Sequence, residues 1–256
     1  MSFLAEIYTG DGSNMRHVGD GEADLILTSP PYYPDFIEET LRLPVGKQTA
    51  VESVEEAIFS FQRSLWSVFS ECSRVLRPGG TLCMVSGDIR FGGFLFSVIS
   101  MLREGAEKAG FRLFSRTHLR MVSYRRRLSP NHGRAFRCDD TAAIEVFSKG
   151  FKQTGVKHPK LTEDEFKRLS SPFWVVSSAG SGRIHPHQLS NTVVRRLLTL
   201  YSSKGDLVVD PFAGSGSTIL HASLMGRRGV GYEIVPDLAE KASAHLDKKL
   251  RKLVIA

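Results

Sequence analysis

The residues Leu207-Val208-Val209-Asp210 run straight into Pro211-Phe212-Ala213-Gly214-Ser215-Gly216-Ser217-Thr218. A short apolar run with no polar alternation reads as a strand buried on both faces, and such strands belong to parallel sheets covered by helices on each side. Glycines in the turn that follows let the backbone approach a ligand closely, and the helix start beyond offers unpaired N–H groups. The next predicted strand, 229–232, ends at Glu233, 17 residues beyond Gly216. A dinucleotide-binding loop would place a third glycine where this chain has Ile219. The pattern therefore points to a nucleoside ligand without a diphosphate, its ribose hydroxyls held by the Glu233 carboxylate.

The rest of the chain repeats the same alternation. Apolar runs predict strands over 24–27, 81–85, 111–122, 142–147 and 206–209. Amphipathic periodicity predicts helices over 51–76, 94–108, 162–169, 191–201, 219–225 and 236–250. In the first helix, Val54, Ile58, Phe61, Leu65, Val68, Phe69, Cys72 and Leu76 fall on one face, and Arg77-Pro78-Gly79-Gly80 ends it. The expected fold is a single α/β domain over 1–256 with a doubly wound, mainly parallel sheet. A chain of this length buries roughly 75% of its unfolded surface.

A second loop has its own chemistry. Thr28-Ser29-Pro30-Pro31-Tyr32-Tyr33 follows the apolar run Leu25-Ile26-Leu27, so it sits at the carboxyl end of a buried strand, where open α/β sheets bind ligands. Two prolines fix φ and remove two backbone donors, which leaves carbonyls dominant. A hydroxyl precedes them and an aromatic follows, a set suited to gripping an amino group on a flat ring.

The net charge of +7 and pI near 9.4 point to a polyanionic partner. Between Arg112 and Arg137 there are eight arginines, with His118 and His132, and no acid. Arg120, Tyr124, Arg125, Arg126, Arg127 and Arg134, within a basic loop around 120–138, are the candidate nucleic-acid contacts. The lysines and Arg251 near the carboxyl end read as a solvated helix end. Cys72, Cys83 and Cys138 are widely spaced with no CxxC pair, so no zinc site is expected, and this usage fits a reducing cytoplasm. Cys72 and Cys83 fall on core faces, which disfavours a cysteine nucleophile. The amino terminus lacks the pattern of a signal peptide, and the longest apolar stretch is too short for a bilayer. Asp88 is a loop acid with no assigned role.

Taken together, the chain resembles the exocyclic-amino DNA methyltransferases that use S-adenosyl-L-methionine, in the permuted order where the catalytic motif precedes the cofactor motif. Thr28-Ser29-Pro30-Pro31-Tyr32 matches the catalytic loop, Asp210 through Thr218 the cofactor loop, and Gly231-Tyr232-Glu233 the ribose-binding acid. Tyr8-Thr9-Gly10-Asp11, the stretch Arg74 to Gly80, and His185-Pro186 with the helix leading to Tyr201 match further segments. Leu189-Ser190 departs from the Phe-Pro frequent in relatives, and only about 151–173 is left for target recognition.

The resemblance implies a Rossmann-like methyltransferase sheet. It implies Ser29, Pro30 and Tyr32 as catalytic residues. It implies Asp11, Pro31, Asp210, Phe212, Gly214, Ser215, Gly216, Thr218, Glu233 and His185 around the cofactor. Tyr32 would stack on a flipped base. Serine in the first motif position favours cytosine N4 over adenine N6. The expected partner is double-stranded DNA, with a homodimer and a cognate restriction endonuclease as further partners. An RNA target and a non-catalytic nucleic-acid-binding protein with a vestigial cofactor fold stay open as alternatives. The joint presence of Ser29, Tyr32, Gly214, Gly216 and Glu233 argues against the last.

Overall fold

The computed structural model describes residues 5–31, 51–91, 94–122, 136–137, 141–150, 161–177 and 189–254. The strands are β1 (Ala5–Thr9), β2 (Ala23–Thr28), β3 (Leu76–Ser86), β4 (Ile89–Phe91), β5 (Phe94–Phe96), β6 (Phe111–Val122), β7 (Phe136–Arg137), β8 (Thr141–Lys149), β9 (Phe173–Ser177), β10 (Leu207–Asp210) and β11 (Arg228–Glu233). The helices are α1 (Val51–Val75), α2 (Val98–Lys108), α3 (Glu163–Leu169), α4 (Asn191–Tyr201), α5 (Ser217–Leu224) and α6 (Pro236–Val254). Eight strands form one sheet in the order β1-β11-β10-β2-β3-β8-β6-β9. The pairs β1–β11, β11–β10, β10–β2, β2–β3 and β6–β9 are parallel, and β8 runs antiparallel to both β3 and β6. The mainly parallel, doubly wound sheet expected from the sequence is present. A second sheet joins β5, β4 and β7.

Two cores lie on opposite faces. Ile26, Leu82, Phe147, Val209 and Val230 pack with Phe61, Leu65, Phe69 and Cys72 of α1 and Leu102 of α2. Leu25, Leu27, Cys83, Ile144 and Val208 pack with Val193, Val194, Leu197 and Leu198 of α4 and Ala222 of α5. Neighbouring residues of each strand serve opposite cores, as the period-2 pleat requires, and this double burial explains the unbroken apolar runs in β2 and β10. Helix α6 packs on β1, β11 and α5. The α1–α2 contact is close: a Cβ at Gly105 would stand 2.7 Å from the Trp66 ring and 2.8 Å from that of Phe69.

Several expected boundaries move. The helix placed over 94–108 begins at Val98, and 94–96 is strand β5. Asp88 explains the delay, because its carboxylate accepts from Ser97 Oγ and from the Ile99 amide and so caps the start of α2. Arg77-Pro78-Gly79-Gly80 does not form a separate connection. Strand β3 begins at Leu76, and the register against β2 shifts there between Ala23 and Leu25, an irregularity that accommodates proline and glycine. β1 and β9 are strands that the sequence reading did not include. Thr162 caps α3 through a capping box with Glu165.

One arginine of β6 has a buried partner. The buried Glu145 carboxylate on β8 takes Arg103 of α2 and Arg116 of β6, each at 2.6 Å, while burial pushes its pKa up despite Arg103. Cys72 and Cys83 are fully buried, and burial pushes the Cys72 thiol well above its usual range. No described helix is long and apolar enough to cross a membrane.

Candidate active site

The sheet reverses its winding between β2 and β10. From β2 the chain steps to β3 on one side, and from β10 it steps to β11 on the other. Such a switch point leaves a crevice outside the carboxyl ends of the strands. Both predicted loops leave from it.

The last residues of the two strands touch. Thr28 Oγ1 donates to Asp210 Oδ1 at 2.6 Å, and the Phe212 amide donates to the same oxygen at 3.1 Å. One buried carboxylate thus ties the Ser-Pro-Pro loop to the glycine loop across 182 positions of sequence. Burial pushes the Asp210 pKa up from 3.8 to about 6, against the hydrogen bonds from Thr28, Thr218 and Phe212 that hold it down. Native Asp210 therefore binds a proton over a range where the unfolded chain has released it. Its contribution makes stability fall as pH rises from about 4 to 6, and stay level above. Asp210→Asn keeps an acceptor for Thr28 and is expected to remove a slope on the order of 2–3 kcal/mol across that window. Urea unfolding at pH 4.5 and pH 7 checks this, and an unchanged slope in the variant would refute it.

Ser29 follows directly. Its Oγ donates to the Val85 carbonyl of β3 at 3.0 Å. With its only proton engaged there, the oxygen offers lone pairs alone to a ligand.

Across the crevice, Glu233 ends β11. Its Oε2 accepts from the Gly214 amide at 2.9 Å and its Oε1 from the Val235 amide at 3.0 Å. The carboxylate is thereby fixed in rotamer, with lone pairs left on both oxygens. Gly214 and Gly216 hold positive φ of 52° and 74°, and Gly216 is the N-cap of α5. Gly216 does not line the cavity. A Cβ there would stand 2.5 Å from Ile7 Cδ1, so its role is close packing of the loop on β1. Gly12, after β1, meets the glycine loop in the same way, a Cβ there lying 2.6 Å from the Pro211 carbonyl oxygen. The Asp11 carboxylate accepts from the Ser13 amide at 2.8 Å.

These groups enclose a cavity of about 840 Å³, within the roughly 300–1,000 Å³ usual for small-molecule sites. Ser29, Pro30, Pro31, Asp11, Asp210, Phe212, Gly214, Ser215, Thr218 and Glu233 all line it. Sequence reasoning missed other parts of the wall: Phe61, Leu65 and Val68 of α1, and Ile234 and Val235 beyond β11. The α1 residues belong to the stripe that also forms the core, so periodicity could not separate the two uses. Ile234 and Val235 had a signal, two apolar residues directly after Glu233, and they are 65% and 50% exposed, apolar surface available to a ligand. Leu189, at the Leu-Ser departure, also lines the cavity. Tyr32, His185, Tyr124, Arg125, Arg126, Arg127 and Arg134 lie outside the described residues. Arg120 is exposed near the carboxyl end of β6.

A strand-ending carboxylate, a glycine loop and a Ser-Pro-Pro loop thus line one cavity at the switch point of a Rossmann-like sheet. The model of the N6/N4 methyltransferase family, described as DNA methylase, matches residues 23–244, and the chain belongs to that family. The family's description makes it a DNA methylase. The type II methyltransferase M.MjaI of Methanocaldococcus jannaschii is 30% identical over 267 residues, covering 90% of this chain and 86% of the relative. Among solved structures, a Thermus thermophilus protein described as a DNA modification methylase, in complex with S-adenosyl-L-methionine, superposes with a TM-score of 0.73 at 23% identity. That match covers 96% of this chain and 94% of the other. The PvuII DNA methyltransferase, described as cytosine-N4-specific, gives 0.71 at 17% identity, covering 96% and 86%. At these identities the two structural likenesses concern the fold.

Proposed function

We propose that the protein methylates the N4 amino group of cytosine in double-stranded DNA, on a base turned out of the helix into the cavity beside Ser29. The observation that carries this reading is the Ser29–Val85 hydrogen bond. It turns the hydroxyl into a pure acceptor at the mouth of the crevice.

The donor set fits S-adenosyl-L-methionine. Glu233 presents two oriented carboxylate oxygens to ribose hydroxyls, Ile234 and Val235 offer apolar surface to the adenine, and Asp11 lines the same cavity. When bound, the cofactor supplies an electrophilic methyl on a sulfonium that is already a good leaving group. The chain supplies position and preset dipoles. The exocyclic nitrogen of cytosine is a poor nucleophile because its lone pair is delocalised into the ring. Ser29 Oγ and the Pro30 carbonyl accept its two N–H bonds, which favours a tetrahedral nitrogen with a localised pair. The same dipoles stabilise the positive charge that develops on nitrogen. Holding the nitrogen in line accounts for much of the acceleration. No strong base is needed, since the methylated nitrogen becomes acidic and releases its proton afterwards. Tyr32 stacks on the flipped ring, and the basic residues around Arg120 hold phosphates.

Serine at position 29 is what favours cytosine over adenine. The test is to incubate purified protein with plasmid DNA and S-adenosyl-L-methionine, digest to nucleosides and identify the products by mass spectrometry. N4-methyldeoxycytidine is the expected product. N6-methyldeoxyadenosine would overturn the choice of base, and no methylated nucleoside would overturn the transfer reading.

A further inference from the structure

The outer end of the sheet has an unusual face. β9 is an edge strand, parallel to β6, with His118 opposite Phe173 and Arg120 opposite Val175. Trp174 and Val176 point to the core and are 2% and 5% exposed, while Phe173 and Val175 point outward and are 69% and 67% exposed. An edge strand of a soluble protein ordinarily turns polar residues to water on its open face. Here both faces are apolar. Phe173 is further held by its neighbour: the His118 ring stacks on it with centroids 5.3 Å apart and planes 21° from parallel.

The surroundings are positive. Arg116, on the same face, is neutralised by Glu145, whereas Arg120 and His118 have no carboxylate partner among the described residues. The face therefore joins an arginine to an exposed aromatic ring and an exposed valine, the composition of a nucleic-acid surface and not of a membrane or an acidic-rimmed protein groove. β6 and β9 run in the same sense as β2, through β3 and β8. Arg120 and Val175 thus approach the sheet edge from which Ser29 emerges.

We propose that this ledge, formed by His118, Arg120, Phe173 and Val175, binds the DNA flanking the methylated nucleotide, with Arg120 on a phosphate and Phe173 and Val175 against deoxyribose and base edges. The assignment rests on the DNA methyltransferase reading above and extends it to the surface that sets the duplex in place. In the order β2-β3-β8-β6-β9, three and four strand spacings separate the ledge from Ser29, or roughly 14 and 19 Å at about 4.8 Å each. At about 3.4 Å per nucleotide this corresponds to roughly four to six steps from the target base. The ledge is placed to read the flank, not the flipped base.

The test uses the full chain and a fluorescein-labelled duplex of about 30 base pairs, long enough to reach the ledge from any central position. Anisotropy titrations at several KCl concentrations give affinity and salt slope without requiring turnover. Arg120→Ala is expected to weaken binding and lower the salt slope by about 1. Phe173→Ala is expected to raise Kd roughly five- to tenfold at an unchanged slope. In Phe173→Ala, affinity for S-adenosyl-L-methionine and thermal midpoint should match the wild type, showing that the fold is intact. Val175→Glu, which sets a carboxylate on the ledge, should weaken binding most at low salt, where its repulsion of phosphate is least screened. Wild-type affinity in all three variants would overturn the ledge while leaving methyl transfer by the wild type untouched. Conversely, a wild type that binds duplex but transfers no methyl would overturn the enzymatic reading, and the variants would still decide the ledge. Loss of a dimer in sedimentation velocity with unchanged DNA affinity would assign the face to a second copy and overturn the proposal.

Discussion

Ser29→Ala protein is expected to lose roughly 10²–10³-fold in kcat for methyl transfer while keeping wild-type affinity for S-adenosyl-L-methionine. The magnitude is that of removing one preorganised dipole from a site of developing charge. The separation of the two readouts follows from the geometry. Ser29 is tied to Val85 on β3, on the opposite side of β2 from the glycine loop. Glu233, at the end of β11, is held by Gly214 of the glycine loop and by Val235 just beyond it. Removing the hydroxyl leaves those contacts in place. Tritiated-methyl transfer measures the first effect, and isothermal titration calorimetry the second. A variant that methylates DNA at the wild-type rate would remove Ser29 from the mechanism.

Replacing the Glu233 carboxylate should produce the reverse pattern. In Glu233→Gln one oxygen becomes an NH2 group, which must face either the Gly214 or the Val235 amide, donor against donor. The side chain also loses the charge that strengthens hydrogen bonds from ribose hydroxyls, bonds worth about 1.5–3 kcal/mol each. The dissociation constant for S-adenosyl-L-methionine is expected to rise roughly 10- to 100-fold. S-Adenosylhomocysteine should weaken by a similar factor, because both ligands carry the same ribose. With saturating cofactor, kcat should stay near that of the wild type. If the variant binds both ligands normally, Glu233 is a loop brace and the ribose lies elsewhere.

Much of this architecture was legible before any coordinates. The helices over Asn191–Tyr201 and Glu163–Leu169 and the strand Phe111–Val122 have local causes: a clear apolar stripe, a capping box, a run of β-prone residues. The glycine loop and Glu233 were legible because their spacing is that of one strand–loop–helix–strand unit, whose parts are neighbours in the chain. The strands β1 and β9 were not. Each is five residues long and is stabilised as a strand by its parallel neighbour, β11 or β6, not by its own pattern. The start of α2 was misplaced for a related reason. It depends on Asp88, nine residues before the Ser97 cap.

The chain alone determined the local chemistry: an acceptor-rich Ser29-Pro30-Pro31 loop, a glycine loop followed by a strand-ending acid, and a basic stretch rich in arginine. These are properties of residue type and short-range order. Only the tertiary structure decided how the parts meet. It joined Thr28 to Asp210 across the switch point and aimed the Ser29 proton at Val85. It turned part of the α1 core stripe into a cavity wall, and it left Phe173 and Val175 exposed beside His118 and Arg120. The physical reason is the same in each case. A hydrogen-bond partner, and whether a side chain faces core, ligand or water, depend on which distant strands lie side by side, and strand order in a sheet is set by the packing of the whole chain.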